Sequence, residues 1–185
     1  MKVPTTHIRE LPGLPGDGAP PRQYSAAGQG MHREGYVLQF QVDGSDSWVG
    51  NFQPGVGTFC GIVRNANSIL VTVIAGGQAY VVDPASGDLA RQFGGDINLC
   101  MPVPEVQAIL LSNGLWFELI HGETPIWRTN RLSWDGMRNV RIDDGILRGE
   151  GWRYDESWHS FEVDIASGRS TGGAYSELPA SAGRG

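Results

Sequence analysis

Alternation of apolar and polar positions begins at Tyr36. Tyr36, Leu38, Phe40 and Val42 fall on one face, Val37, Gln39 and Gln41 on the other. That two-residue period predicts a half-buried strand over 36–42. Asp43-Gly44-Ser45-Asp46 turns the chain, 47–52 answers as the second strand of a hairpin, and a short strand follows at 59–64. The run Ile69 to Ala75, ILVTVIA, is β-branched and apolar on both faces, which places it in the middle of a fold. Gly76-Gly77 supplies a tight hairpin turn. Residues 78–83 pair back, Pro84 to Gly87 turns again, and 88–93 completes a meander. The same grammar recurs at 106–112, the turn Asn113-Gly114, 115–121 and 126–133. It recurs once more at 137–142, the turn Asp143-Asp144-Gly145, 146–152, a polar loop over 153–157, 158–165 and 169–175.

No window carries a sustained 3.6-residue period with caps. The best helix candidate, Val103 to Ser112, lacks a polar face and is predicted as strand. The predicted class is therefore all-β, built of repeated antiparallel meanders. Their spacing of about 40 residues suits a propeller-like, radial repetition of small sheets. A β-sandwich or an open twisted sheet is the alternative. Glycine, at 27 residues, is in surplus and fits a chain with many tight turns. Before this region, residues 1–33 hold Pro4, Pro12, Pro15, Pro20 and Pro21 without apolar periodicity. They are expected to form a flexible arm, or a strap lying on the domain through Ile8, Leu11 and Leu14, so that deleting 1–30 spares the fold. Residues 34–175 are expected to be a single β domain and 176–185 a disordered tail.

Two stretches repeat: Asp83-Pro-Ala-Ser-Gly87 and Asp164-Ile-Ala-Ser-Gly168, each an apolar strand ending in Asp and followed by a Ser-Gly turn. Over Tyr80 to Leu89 and Phe161 to Ser170 the chain resembles β-propeller blades of the quinoprotein or WD type, in which an Asp-x-x-[Ser/Thr]-Gly turn joins two strands. Its end resembles uncharacterised bacterial proteins with a Trp-x-x-Phe-Glu-x-Asp-x-x-x-Gly…Gly-Gly ending. Neither resemblance implies catalytic residues. The two Asp are explained as Asx-type caps on the turns that follow.

Charge and chemistry narrow the functional classes. With 14 basic and 20 acidic residues the net charge is −6, and no basic stripe is present, which argues against nucleic-acid binding. The chain has no continuous apolar run of about 18 residues, so a soluble, cytosolic protein without membrane contact is expected. Cys60 and Cys100, lacking CxxC spacing, are expected to be reduced, buried and apolar in role. Walker, GxGxxG, GxSxG and HExxH motifs are all missing. No cofactor or metal is expected: the Asp43 and Asp143 loops fall short of a calcium pattern, and His7, His32, His121 and His159 are scattered. His121 and His159 share parity with apolar neighbours and are expected at the edge of the core.

Carboxylates and tryptophans are the better candidates. Glu118, Glu150 and Glu162 each sit inside a predicted strand, and Trp116, Trp127, Trp134, Trp152 and Trp158 lie in the same half of the chain. Strand Glu commonly pairs with cross-strand Arg, for which Arg128, Arg131, Arg148 and Arg153 are available, and strand Trp commonly packs on neighbours. Paired carboxylates beside aromatic platforms also suit a sugar site. The residues set apart as a candidate binding site are Glu150, Trp152, Arg153, Trp158, His159 and Glu162. With no catalytic signature, the expected function is a non-enzymatic protein-binding module of immunity or accessory type, its partner another protein. The alternative is a carbohydrate-binding or glycoside-hydrolysing protein using the Trp- and Glu-rich C-terminal half.

Overall fold

The computed structural model describes residues 5–26, 28, 33–44, 46–64, 69–122 and 124–175. Among them all regular structure is β, apart from one 3-10 turn at Pro104–Val106, so the all-β expectation holds. Four sheets of four strands follow one another along the chain. The first contains β1 (Thr6–Glu10), β2 (Arg22–Tyr24), β3 (Tyr36–Val42) and β4 (Trp48–Phe52), in the order β1-β3-β4-β2. The second is a meander of β5 (Gly61–Arg64), β6 (Val71–Ala75), β7 (Gln78–Val82) and β8 (Leu89–Gly94). The third is formed by β9 (Leu99–Val103), β10 (Ala108–Ser112), β11 (Phe117–His121) and β12 (Thr124–Arg128). The fourth is formed by β13 (Met137–Asp143), β14 (Ile146–Trp152), β15 (Trp158–Asp164) and β16 (Ser170–Gly172). Contacts divide the chain into two compact units, Met1–Ile109 and Leu110–Gly185.

The segment expected to be a flexible arm or a strap lies on the first sheet and supplies two of its strands, with Ile8 packed against the core. β1 pairs antiparallel with β3, from Thr6 opposite Val42 to Glu10 opposite Leu38. β2 runs parallel to β4, and its Tyr24 is only 4 % exposed, stacked on Phe52 at 4.4 Å. Strands at the edge of a sheet are held mainly by backbone hydrogen bonds, and β1 shows mostly exposed side chains. Apolar periodicity therefore had nothing to register there. The same holds for β9, an edge strand interrupted by Pro102. The strand expected over 126–133 ends at Arg128. Thr129, Leu132 and Ser133 beyond it are buried, their backbone tied by Thr129 N–H to Phe117 O (2.9 Å) and Leu132 N–H to Leu115 O (2.7 Å). The expected disordered tail lies outside the described residues.

Turn chemistry decides the hairpins. Gly76 and Gly77 have φ of 50° and 86°, and Asp144 and Gly145 have 49° and 73°, the positive pair that suits a two-residue turn between twisted strands. Asn113-Gly114 does not form that turn, because only Gly114 has positive φ, at 88°. Ser112 Oγ instead accepts the Gly114 N–H (2.9 Å) and donates to Trp116 O (2.7 Å), while Asn113 Oδ1 accepts from Leu115 N–H (3.1 Å). The side chains open a longer connection.

The repeated Asp-x-x-Ser-Gly element is one structure occurring twice. Gly87 N–H donates to Asp83 O and Gly168 N–H to Asp164 O, both at 2.7 Å, and the two glycines have φ of 71° and 72°. Asp83 Oδ1 caps the Ala85 and Ser86 N–H groups, and Asp164 Oδ1 caps Ser167 at both its N–H and its hydroxyl. Those Ser167 hydrogen bonds hold the Asp164 carboxyl below its ordinary pKa. Each turn also receives a tryptophan from the preceding sheet of its own unit. Trp48 Nε1–H donates to Pro84 O at 2.9 Å, and Trp127 Nε1–H to Ile165 O at 2.8 Å. Both acceptors are the residue immediately after the Asp. In the first unit Tyr24 adds a hydrogen bond to Gly87 O at 2.7 Å.

Core packing completes each unit separately. Leu38, Phe40, Phe52, Val73, Tyr80 and Val82 form one core, with Phe40 stacked on Trp48 at 4.1 Å. β6 is buried along its whole length, as its two-sided apolar run predicts. In the second unit Phe117, Leu147, Phe161 and Val163 are buried, the two rings 5.6 Å apart.

Four variants test these contacts. Trp127→Phe keeps the ring but leaves Ile165 O without its donor, and should cost about 1–3 kcal/mol by chemical denaturation. Gly168→Val places Cβ 2.6 Å from the Trp127 ring at a left-handed φ, and should cost more than Trp127→Phe. An unchanged denaturation midpoint for Gly168→Val would show that the turn is not fixed. Deleting residues 5–26 should abolish cooperative unfolding of the first unit, and Tyr24→Ala alone should cost about 3–5 kcal/mol.

Candidate functional site

The fourth sheet carries five of the six residues singled out in the sequence, with Arg153 in the loop beside them, and strand parity separates them. β14 and β15 pair so that Arg148 faces Glu162, Glu150 faces Ser160 and Trp152 faces Trp158. Alternate positions set Leu147 against Val163, Gly149 against Phe161 and Gly151 against His159. Glu150, Trp152, Trp158 and Glu162 therefore share one face, while His159 belongs to the other. Arg153 lies in the loop between the strands. Its Nε is 3.8 Å from Asp155 Oδ2, near enough for charge attraction and too far for a hydrogen bond.

Within the shared face, both glutamates already have partners. Arg138 Nε donates to Glu150 Oε2 at 2.9 Å, and Asn139 Nδ2 donates to the same oxygen at 2.8 Å. Asn139 reaches it because β13 bulges between Arg138 and Arg141, with Asn139 at φ 55°. Arg148 Nε donates to Glu162 Oε1 at 2.9 Å, and its Nη1 is 3.6 Å from Asp143 Oδ2. In the third sheet Glu118 accepts from Arg128 at 3.2 Å. All three strand glutamates thus sit in cross-strand Arg pairs, each of the kind that contributes about 0.2–1 kcal/mol. The Arg138 guanidinium lies 4.2 Å from the Trp158 ring centroid, and Trp152 meets Trp158 at 5.0 Å with a tilt of 59°. Arg128 covers Trp116 in the same way, at 4.0 Å.

These contacts bear on chemistry. The Arg138 hydrogen bond, reinforced by that of Asn139, holds the Glu150 carboxyl below its ordinary pKa. A glycosidase acid needs the opposite shift, a carboxyl that keeps its proton. A sugar platform needs an open ring face, and Arg138 lies over Trp158. Asp155, Ser157 and His159 form a polar string in which the Ser157 hydroxyl donates to Asp155 and lies 2.8 Å from His159 Nε2. Histidine is at the end of that string instead of between acid and hydroxyl, so the three do not reproduce the order of a Ser-His-Asp triad.

The remaining candidates separate individually. His121 is exposed at the end of β11, because a register shift between Leu119 and Ile120 breaks the parity that pointed it inward. His7 is exposed on β1, and His32 lies outside the described residues. Cys60 is exposed instead of buried and accepts a hydrogen bond from Gly76 N–H at 3.3 Å; burial pushes the Cys100 thiol up to about 12. Among the described residues no group of three His, Cys, Asp or Glu is placed to hold a metal, and no helix is long and apolar enough to cross a membrane.

A second cluster, not assembled by the sequence reading, adjoins Trp152. Trp134 N–H bonds Trp152 O at 2.8 Å, and the Trp134 ring meets Tyr154 edge-on at 5.5 Å and Tyr175 at 5.2 Å. Arg131 is fixed beneath them by hydrogen bonds to Ser133 O (2.8 Å) and Trp134 O (2.7 Å), with its guanidinium 4.9 Å from the Tyr175 ring. Tyr154 is 63 % exposed at the tip. The sequence signal was the recurrence of aromatics beside arginines, but only the fold gathers them at one end of the sheet. No protein-family model matches this chain, and no curated protein is significantly similar to it.

Because the folded Glu150 pKa is depressed, its ion pair stabilises above the unfolded value, about pH 4.3, and is lost as pH falls through the lower folded value. Carboxyl-carbon NMR should place its midpoint below that of an ordinary glutamate, and Arg138→Gln should raise it. A midpoint unmoved in that variant would contradict the assigned pairing.

Proposed function

We propose that this chain is a non-enzymatic protein-binding module, cytosolic and of immunity or accessory type, that engages a partner through the aromatic end of its fourth sheet. The observation that carries this is the gathering of Trp134, Tyr154 and Tyr175 around an immobilised Arg131, next to Trp152, Trp158 and Arg138. Tryptophan, tyrosine and arginine are the residues that dominate interface hot spots. A cluster held by its own hydrogen bonds and ring contacts has little side-chain freedom left to lose on association. The lowered pKa of Glu150 and the covered ring of Trp158 give the carbohydrate reading less support.

The test is affinity capture from the source organism, followed by titration of the captured partner against variants. Tyr154→Ala should leave the melting temperature unchanged, since the side chain is mostly exposed, yet weaken binding by at least about tenfold, the range of a hot-spot residue. Equal affinity for wild type and Tyr154→Ala would overturn this surface. A sugar-dependent thermal shift lost in Trp158→Ala would replace the protein-binding reading with the carbohydrate one.

A further inference from the structure

Next to the aromatic end, the face of the fourth sheet holds a groove of about 380 Å³ lined by Asn139, Arg141, Arg148, Glu150, Ser160 and Glu162, together with Gly149 and Phe161. Most of its charges are spent internally. Arg148 is shared between Glu162 and Asp143, and Glu150 accepts from both Arg138 and Asn139. Arg141 is different. It stands opposite Arg148 in the strand register, is exposed, and among the described residues makes no ion pair or hydrogen bond through its guanidinium. Ser160, opposite Glu150, is likewise exposed with no hydroxyl partner among those residues.

We propose that this groove is the seat of an aspartate or glutamate side chain carried by the protein partner, with Arg141 as its bidentate anchor and Ser160 as a further donor. The proposal rests on the protein-binding reading. A planar guanidinium matches a carboxylate through two parallel N–H···O bonds. Glu150 and Glu162 stand in the same groove, each already held by another arginine, and a doubly charged phosphate would meet repulsion from both. A chain-terminal carboxylate is characteristically held by free backbone N–H groups in a nest. Here β14 is paired on both sides, with β13 and β15, and the cation that lines the groove without a partner among the described residues is a side chain, Arg141.

The test follows the Arg141 Nε–H resonance of the full chain by NMR at fixed ionic strength. N-acetyl-glutamate N-methylamide is titrated beside its glutamine analogue, N-acetylglycine and inorganic phosphate. A saturable shift with the glutamate compound, several-fold weaker with the others, is expected. Binding of the glutamate compound to Arg141→Gln, read from the backbone amides of β14 and β15, should be lost, and in Arg141→Lys it should fall several-fold. Tyr154→Ala should bind the compound as the wild type does, so that failure of the groove and failure of the aromatic surface are told apart. No saturable shift, or an equal one with the glutamine analogue, overturns the site. A stronger response to phosphate or N-acetylglycine overturns the side-chain assignment, as does undiminished binding by a folded Arg141→Gln.

Discussion

One hydrogen bond, made twice, sets how sheets meet in this protein. An indole N–H is aimed at the carbonyl of the residue after a strand-ending aspartate: Trp48 at Pro84 in the first unit, Trp127 at Ile165 in the second. The bond requires the turn to expose that carbonyl, which requires the aspartate to cap the next N–H groups and the glycine to take a left-handed φ. It also requires that glycine have no side chain where the docking group passes, Arg22 at Gly87 and the Trp127 ring at Gly168. Asp, Ser, Gly and a distant Trp are thus one device, in which each residue type answers to a different constraint.

The exposed face of the fourth sheet obeys a second rule, pairing. Glutamates that resemble catalytic carboxylates when read singly are neutralised across the strands by Arg138 and Arg148. The tryptophan beside them is covered by the same Arg138. A surface made this way is stiff and leaves few groups unspent. Under the proposed reading, the groups that remain to meet a partner are Tyr154 at the tip and Arg141 in the groove.

Much of this was legible in the sequence wherever periodicity coincides with burial. The burial of β6 follows from its two-sided apolar run, and the strand positions of Glu150 and Glu162 and the inward parity of His159 among Phe161 and Val163 follow from a period of two. The Asp-x-x-Ser-Gly repeat was recognisable as a turn because Asp and Gly each have a local reason to be there. What was hidden depends on backbone bonding or on register. β1 and β2 contribute edges, where hydrogen bonds hold the strand and side chains need not alternate. His121 was misplaced by a bulge, and Arg138 and Asn139 meet Glu150 only because of another. Tyr154, Trp134 and Tyr175 are far apart in sequence, and no local pattern announces that they meet.

The bulge at Asn139 has a consequence for the edge it occupies. β13 is the outer strand of its sheet, the position at which a passing extended peptide could add itself as a fifth strand. An extra residue with left-handed φ interrupts the regular spacing of outward N–H and C=O groups along that edge. Strand addition there would have to abandon part of its ladder. The edge is thereby blunted against templating other copies of the chain, and a protein partner of the kind proposed would be met at this sheet by side chains.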